Sequence, residues 1–201
     1  MMGKTHIFIG TASALALTLP DSPMKCLTAI MGGALGGMIS DTDLDSLKNI
    51  KETMYTKSIA GFISAICLLI DFIFKCGIIE YMKNSNHMVM LGGLIAFIAL
   101  YFIGAAADHR GFTHSIFALL LYSTAIGAMC YPVALPFAIG FASHILLDCL
   151  NKKPVRVFFP VKKGICFKLC YAAKTANQMF MVIGIISTIL LLGFSIVKIS
   201  I

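Results

Sequence analysis

The sequence predicts an all-α fold: a polytopic integral membrane helical bundle of about five to seven membrane-embedded helices, with a metal site at its cytoplasmic end. Three observations carry that expectation. Of 201 residues, 59% are hydrophobic and only 12% charged, with mean hydropathy +0.92; a soluble domain carries roughly 25% charged residues. The apolar residues gather into seven runs separated by short polar segments. Histidines and aspartates collect at those run ends that alternating crossings bring to one face.

The runs follow in order. Residues 7–19 stop at "LPDSP", and 24–39 contain "MGGALGGM", small residues that permit close helix contact. Residues 59–74 precede "KCGIIEYMKNSN", and 88–107 form the clearest span. Residues 116–131 and 133–150 are divided by Pro132, and 179–197 come last. A full crossing needs about 20 apolar residues. The third, fourth, sixth and seventh runs are therefore expected to span, the first is short, and the second and fifth are marginal. Asp71, inside the third run, is expected to be solvated near a helix end rather than a buried functional charge. With no Trp, the six tyrosines and fifteen phenylalanines must supply any interfacial belt. No linker or repeat divides the chain, which reads as one domain, 1–201, with a basic cytoplasmic segment over 151–178. The N-terminal run reads as retained rather than as a cleaved signal, because further membrane segments follow it. The seven cysteines lie mostly in apolar runs and read as small buried hydrophobes. Cys166 and Cys170 lack a partner pair, so zinc is not expected there, and in a cytosolic segment a disulfide is not expected either.

Letting the chain cross at each run divides Lys and Arg twelve to four between the two sides. Seven of the twelve follow Leu150, in a segment without acidic residues. The positive-inside rule makes that side cytoplasmic. The net charge of +7 then reads as orientation and contact with anionic lipid headgroups, and no nucleic-acid partner is expected.

His6, Asp41, Asp43, His109, His114, His144 and Asp148 all fall on this cytoplasmic side; His87 is the one histidine that does not. Each has an ordinary reading alone. His6 suits an interface, Asp41, Asp43 and Asp45 suit a solvated, helix-capping turn, and His144 suits a satisfied buried imidazole. Seven such groups at one depth are harder to explain that way, since polar groups on apolar helix faces are costly without partners. Imidazoles with carboxylates, and no thiolates, suit a borderline divalent ion: Zn²⁺ first, with Mn²⁺ or Fe²⁺ as alternatives. Six or seven ligands exceed one tetrahedral site and favour two ions, which would activate water and clamp an ester. Arg110 suits a phosphate or developing charge. Gly111 is expected to turn the backbone so that His109 and His114 face one centre, and Thr113 and Ser115 to orient neighbouring groups.

In order, "TH", "D-x-D" closing a Gly-rich helix, "HRGFTHS", "SHILLD" and "NKKPVRVFFP" resemble the YdjM-like bacterial inner-membrane proteins, described as membrane-bound metal-dependent hydrolases. The resemblance runs through residues 5 to 160. It implies metal ligands at the seven positions named above and a bacterial inner-membrane location. The family is itself distantly similar to zinc-dependent phospholipase C. Ser40 and Leu44 stand where the family pattern "P-D-x-D-H" has Pro and His, so one ligand of that pattern is missing.

The expected function is therefore a membrane-bound metal-dependent hydrolase of a phospholipid-like or lipid-linked phosphate ester. Metal-activated water would attack, an unliganded carboxylate (Asp108 or Asp45) would accept the proton, and Arg110 would assist. A non-catalytic, metal-stabilised membrane protein that binds lipid or a regulatory partner is the alternative. A metal transporter fits less well, since its ligands belong near the bilayer midplane.

Overall fold

A computed structural model describes residues 3–41, 50–108, 110–169 and 175–200. Among these residues every regular element is a helix, and the connecting 151–169 segment carries one isolated antiparallel bridge, between Val155 and Ile165. The helices are α1 (Gly3–Thr18), α2 (Pro23–Ile39), α3 (Ile50–Phe74), α4 (Ile78–Asn84), α5 (His87–Ala105), α6 (Ile116–Met129), α7 (Tyr131–Cys149) and α8 (Thr175–Ser200). Four stretches are long and apolar enough to cross a membrane: Met54–Phe74, His87–Ala105, Tyr131–Cys149 and Thr175–Ser200. These are the third, fourth, sixth and seventh runs, while α2 and α6 are apolar but shorter.

Short polar residues start several helices by satisfying backbone donors that have no partner in the first turn. Ser22 caps α2 ahead of Pro23, and Asn86 Oδ1 accepts from Met88 N at 2.9 Å at the start of α5. Ser115 Oγ accepts from Ala118 N at 3.1 Å and starts α6.

The bundle is organised around α2, which packs on α1, α3 and α7. Its glycines make this possible. A Cβ on Gly36 would overlap the Phe137 carbonyl of α7, and one on Gly37 would overlap the His6 carbonyl of α1. Close backbone approach of this kind gives dispersion contact where water drives nothing together. α5 packs on α6, and Tyr122 OH donates to Leu100 O at 2.6 Å between them. α8 packs on α1. The outward faces of α3, α5 and α8 carry exposed Phe72, Phe102 and Leu190, as lipid contact requires.

Asp71 departs from its expected role. It is buried rather than solvated, and its two carboxylate oxygens accept from Ile78 N and Ile79 N, each at 2.8 Å. The carboxylate thus caps the short helix α4, folding the 75–84 connection back against the end of α3.

Candidate metal centre

Four helix ends supply the centre. His6 comes from the first turn of α1, and Asp41 immediately follows α2. His114 ends the 3₁₀ turn Phe112–His114 before α6, and His144 and Asp148 lie one turn apart near the end of α7. All five are buried, with His6, His114 and His144 at 0% exposure. They form two overlapping groups, His6–His144–Asp148 and Asp41–His114–His144, whose candidate ligand atoms lie within 4.8 Å of one another.

The geometry follows from the packing. Because Gly37 lets α1 approach α2, the rings of His6 and His144 stack with centroids 3.8 Å apart. The Gly37 carbonyl also accepts from His144 Nδ1 at 2.8 Å. That bond puts the proton on Nδ1 and leaves the Nε2 lone pair facing the centre. Thr113 Oγ1 lies 3.0 Å from His114 Nδ1, so His114 also turns Nε2 inward. Ser115 instead caps α6 and donates to Phe112 O at 2.6 Å.

The inward atoms are spaced as ligands of a common ion would be. His114 Nε2 and His144 Nε2 are 3.3 Å apart; two nitrogens on a tetrahedral zinc at 2.0–2.1 Å would be separated by about 3.3–3.4 Å. Asp41 Oδ1 lies 3.8 Å from His114 Nε2 and 3.6 Å from His144 Nε2. Asp148 presents Oδ2 to His114 Nε2 at 3.6 Å and Oδ1 to His6 Nε2 at 3.4 Å. The last contact lacks hydrogen-bond alignment, and neither ring nitrogen of His6 has a hydrogen-bond partner among the described residues. A fully buried imidazole in that condition is rare and costly. Two carboxylates, Asp41 and Asp148, face the one guanidinium of Arg110, so acidic groups outnumber the guanidinium among the described residues of the cluster. A divalent cation meets both deficits, and the donor set fits it.

Arg110 closes the cluster. One terminal nitrogen lies 3.1 Å from Asp148 Oδ2, and the other donates to Lys153 O at 2.8 Å. The turn expected at Gly111 is shared with its neighbour. The residue in the left-handed region is Arg110, at φ +64°, while Gly111 has φ −93°. Glycine is required at 111 for space, because a Cβ there would stand 2.7 Å from Asp108 O.

Asp108 also departs from its expected role. Its side chain is 83% exposed and faces Arg156 at 3.5 Å, outside the buried cluster. The peptide run toward His114 turns away at this point, which spacing alone does not reveal. Asp43, Asp45 and His109 lie outside the described residues. The sequence reading missed two supports, the Gly37 carbonyl and Asn177. Thr5 donates to Asn177 Oδ1 at 2.9 Å, tying the turn that carries His6 to the start of α8. The available signal was an Asn two residues ahead of the last apolar run.

A family model described as YdjM inner membrane protein matches residues 1–200. The chain belongs to the YdjM family. No curated protein and no solved structure matches it. The family match supports the YdjM resemblance and does not extend to zinc-dependent phospholipase C. This YdjM protein is thus a helical membrane protein with buried residue groups able to hold a metal ion.

Proposed function

We propose that this YdjM protein is a metal-dependent hydrolase of a phosphate ester carried on an amphiphile, acting at the cytoplasmic face of the inner membrane. The observation that carries the reading is the buried convergence of Asp41, His114, His144 and Asp148 beside His6, whose ring nitrogens have no hydrogen-bond partner among the described residues. These five residues hold the metal, with Asp43 and His109 added from the sequence. Zn²⁺ suits the imidazole–carboxylate set. His144 has only Nε2 to offer, so the two groups that share it cannot each use it for a separate ion. Two ions are supported instead by Asp148, whose two oxygens face His114 and His6 on different sides, and the second ion then requires Asp43 or His109. A bound divalent ion supplies Lewis acidity and positive charge for attack of water on a phosphate ester. Arg110 holds Asp148 and adds a fixed cation beside the centre.

One observation favours a second reading. The cluster residues are almost fully buried, and structural metal sites are closed whereas catalytic ones keep an open position. A non-catalytic, metal-stabilised membrane protein would have that property. A metal assay of detergent-purified protein, paired with a hydrolysis screen over phospholipids and aryl phosphate esters, separates the two. The expected result is bound zinc with hydrolysis that EDTA abolishes. Bound metal without EDTA-sensitive turnover on any ester class overturns the hydrolase and leaves the structural role.

A further inference from the structure

We infer that the groove between α5, α6 and the 151–169 segment holds one acyl chain of an anionic phospholipid, whose headgroup Arg156 binds. This rests on the proposed action on an amphiphilic phosphate ester and assigns that amphiphile a seat.

The groove has a volume of about 630 Å³, within the range of pockets that enclose small ligands. Its walls are Leu100 and Ile103 of α5, Phe117 and Leu121 of α6, and Phe159 of the 151–169 segment. Ile103 and Phe117 are half exposed. The polar groups Asp108 and Arg156 lie at the site end, where the chain leaves α5. From Ala105, where α5 ends, to Leu100 the helix descends about 7.5 Å, within the roughly 15 Å depth of one leaflet's hydrocarbon. Charged at the headgroup end and apolar below, the groove has the polarity of a lipid aligned with its leaflet.

The groove also adjoins the metal centre. Phe112 lines it and belongs to the same 3₁₀ turn as His114. Arg156 N donates to Arg110 O at 3.1 Å, so the headgroup residue is hydrogen-bonded to the residue that holds Asp148. Arg156 is partly exposed, with Asp108 as its partner at 3.5 Å. An exposed pair of this kind is weak, and a lipid phosphate can replace the carboxylate with bidentate geometry.

The test uses the full chain reconstituted in phosphatidylcholine vesicles containing phosphatidylglycerol with a photoreactive acyl chain. Cross-links are expected in peptides covering 100–121 and 156–159. Ala107→Trp and Leu121→Trp, which fill the groove, should lose those cross-links while labelling of the outward face of α8 and the metal content persist. Arg156→Gln should lose the preference for phosphatidylglycerol over a phosphatidylcholine probe, and Asp108→Asn should raise it. If a Trp variant fails to fold, competition in the wild-type protein decides: excess unlabelled phosphatidylglycerol should suppress groove labelling and spare α8. Groove labelling that survives both Trp variants, or that competes no better than α8, overturns the inference. Groove labelling without ester turnover upholds the lipid seat and overturns the hydrolase. Turnover of a soluble aryl phosphate without groove labelling upholds the hydrolase and overturns the seat.

Discussion

His114 shows how much one side chain controls. Its Nδ1 is held by Thr113, and its Nε2 stands within 3.3–3.8 Å of His144, Asp41 and Asp148. Removing the ring takes out the atom common to those three contacts and leaves Asp41 and Asp148 without the nitrogen they both approach. His114→Ala is therefore expected to lose most of the bound metal while still inserting in the membrane, since the ring makes no contact needed for the apolar spans. Metal analysis of the purified variant against wild type checks this, and full retention of metal would sink the assignment of His114 as a ligand. At this scale the site was legible as a list of residue types on one side of the membrane. His6, Asp41, His114, His144 and Asp148 do converge, because the alternation of spans sets the depth of each group. What spacing does not encode is local direction. Arg110, and not the adjacent Gly111, takes the left-handed conformation, and Asp108 faces Arg156 instead of the cluster. Both outcomes depend on the 151–169 segment, whose Arg156 N–H binds the Arg110 carbonyl.

Among the helices, α2 decides whether the centre exists at all. Its glycine face reads in the sequence as a close-packing surface. Only the structure reveals that one of those glycines, Gly37, also supplies the carbonyl that orients His144. Gly37→Ala drives a methyl group into the His6 backbone, so α1 must shift away from α2. Overpacking of this kind typically costs about 1–3 kcal/mol. The variant is expected to melt earlier in detergent and to bind metal more weakly, because the His6–His144 stack depends on the same approach. Gly61→Ala is the matched control: nothing lies within 4 Å of a Cβ there, and alanine favours the helix. Thermal unfolding and metal titration of the pair test the claim, and equal behaviour of the two variants would overturn it. The long spans were legible at this scale because run length alone identifies them. Asp71 was not, since hydropathy cannot show a carboxylate reaching seven residues onward to cap α4.

For the whole molecule, orientation remains the property on which the function depends. The helices alternate so that His6, Asp41, His114 and Asp148 share one end of the bundle, and the basic 151–169 segment packs against that same end through Arg110 and Cys149. The twelve-to-four division of Lys and Arg argues that this end is cytoplasmic, as short basic loops resist translocation. In the proposed orientation the three apolar helices that precede the 75–86 connection would carry it to the periplasmic face, and α8 would carry Ser200 there as well. Alkaline phosphatase, which is active only after export, should therefore be active when fused after Ser200 or inserted at Asn84, and inactive when inserted at Lys163. Green fluorescent protein, which folds in the cytoplasm, should give the reciprocal pattern at Ser200 and Lys163. Active phosphatase at Lys163 would place the metal centre and the lipid groove on the outer leaflet, and the proposed cytoplasmic substrate would have to be given up. Neutralising Lys152, Lys153, Lys162 and Lys163 together should weaken the bias and yield mixed reporter activity, because those charges, and not the length of α8, set its direction.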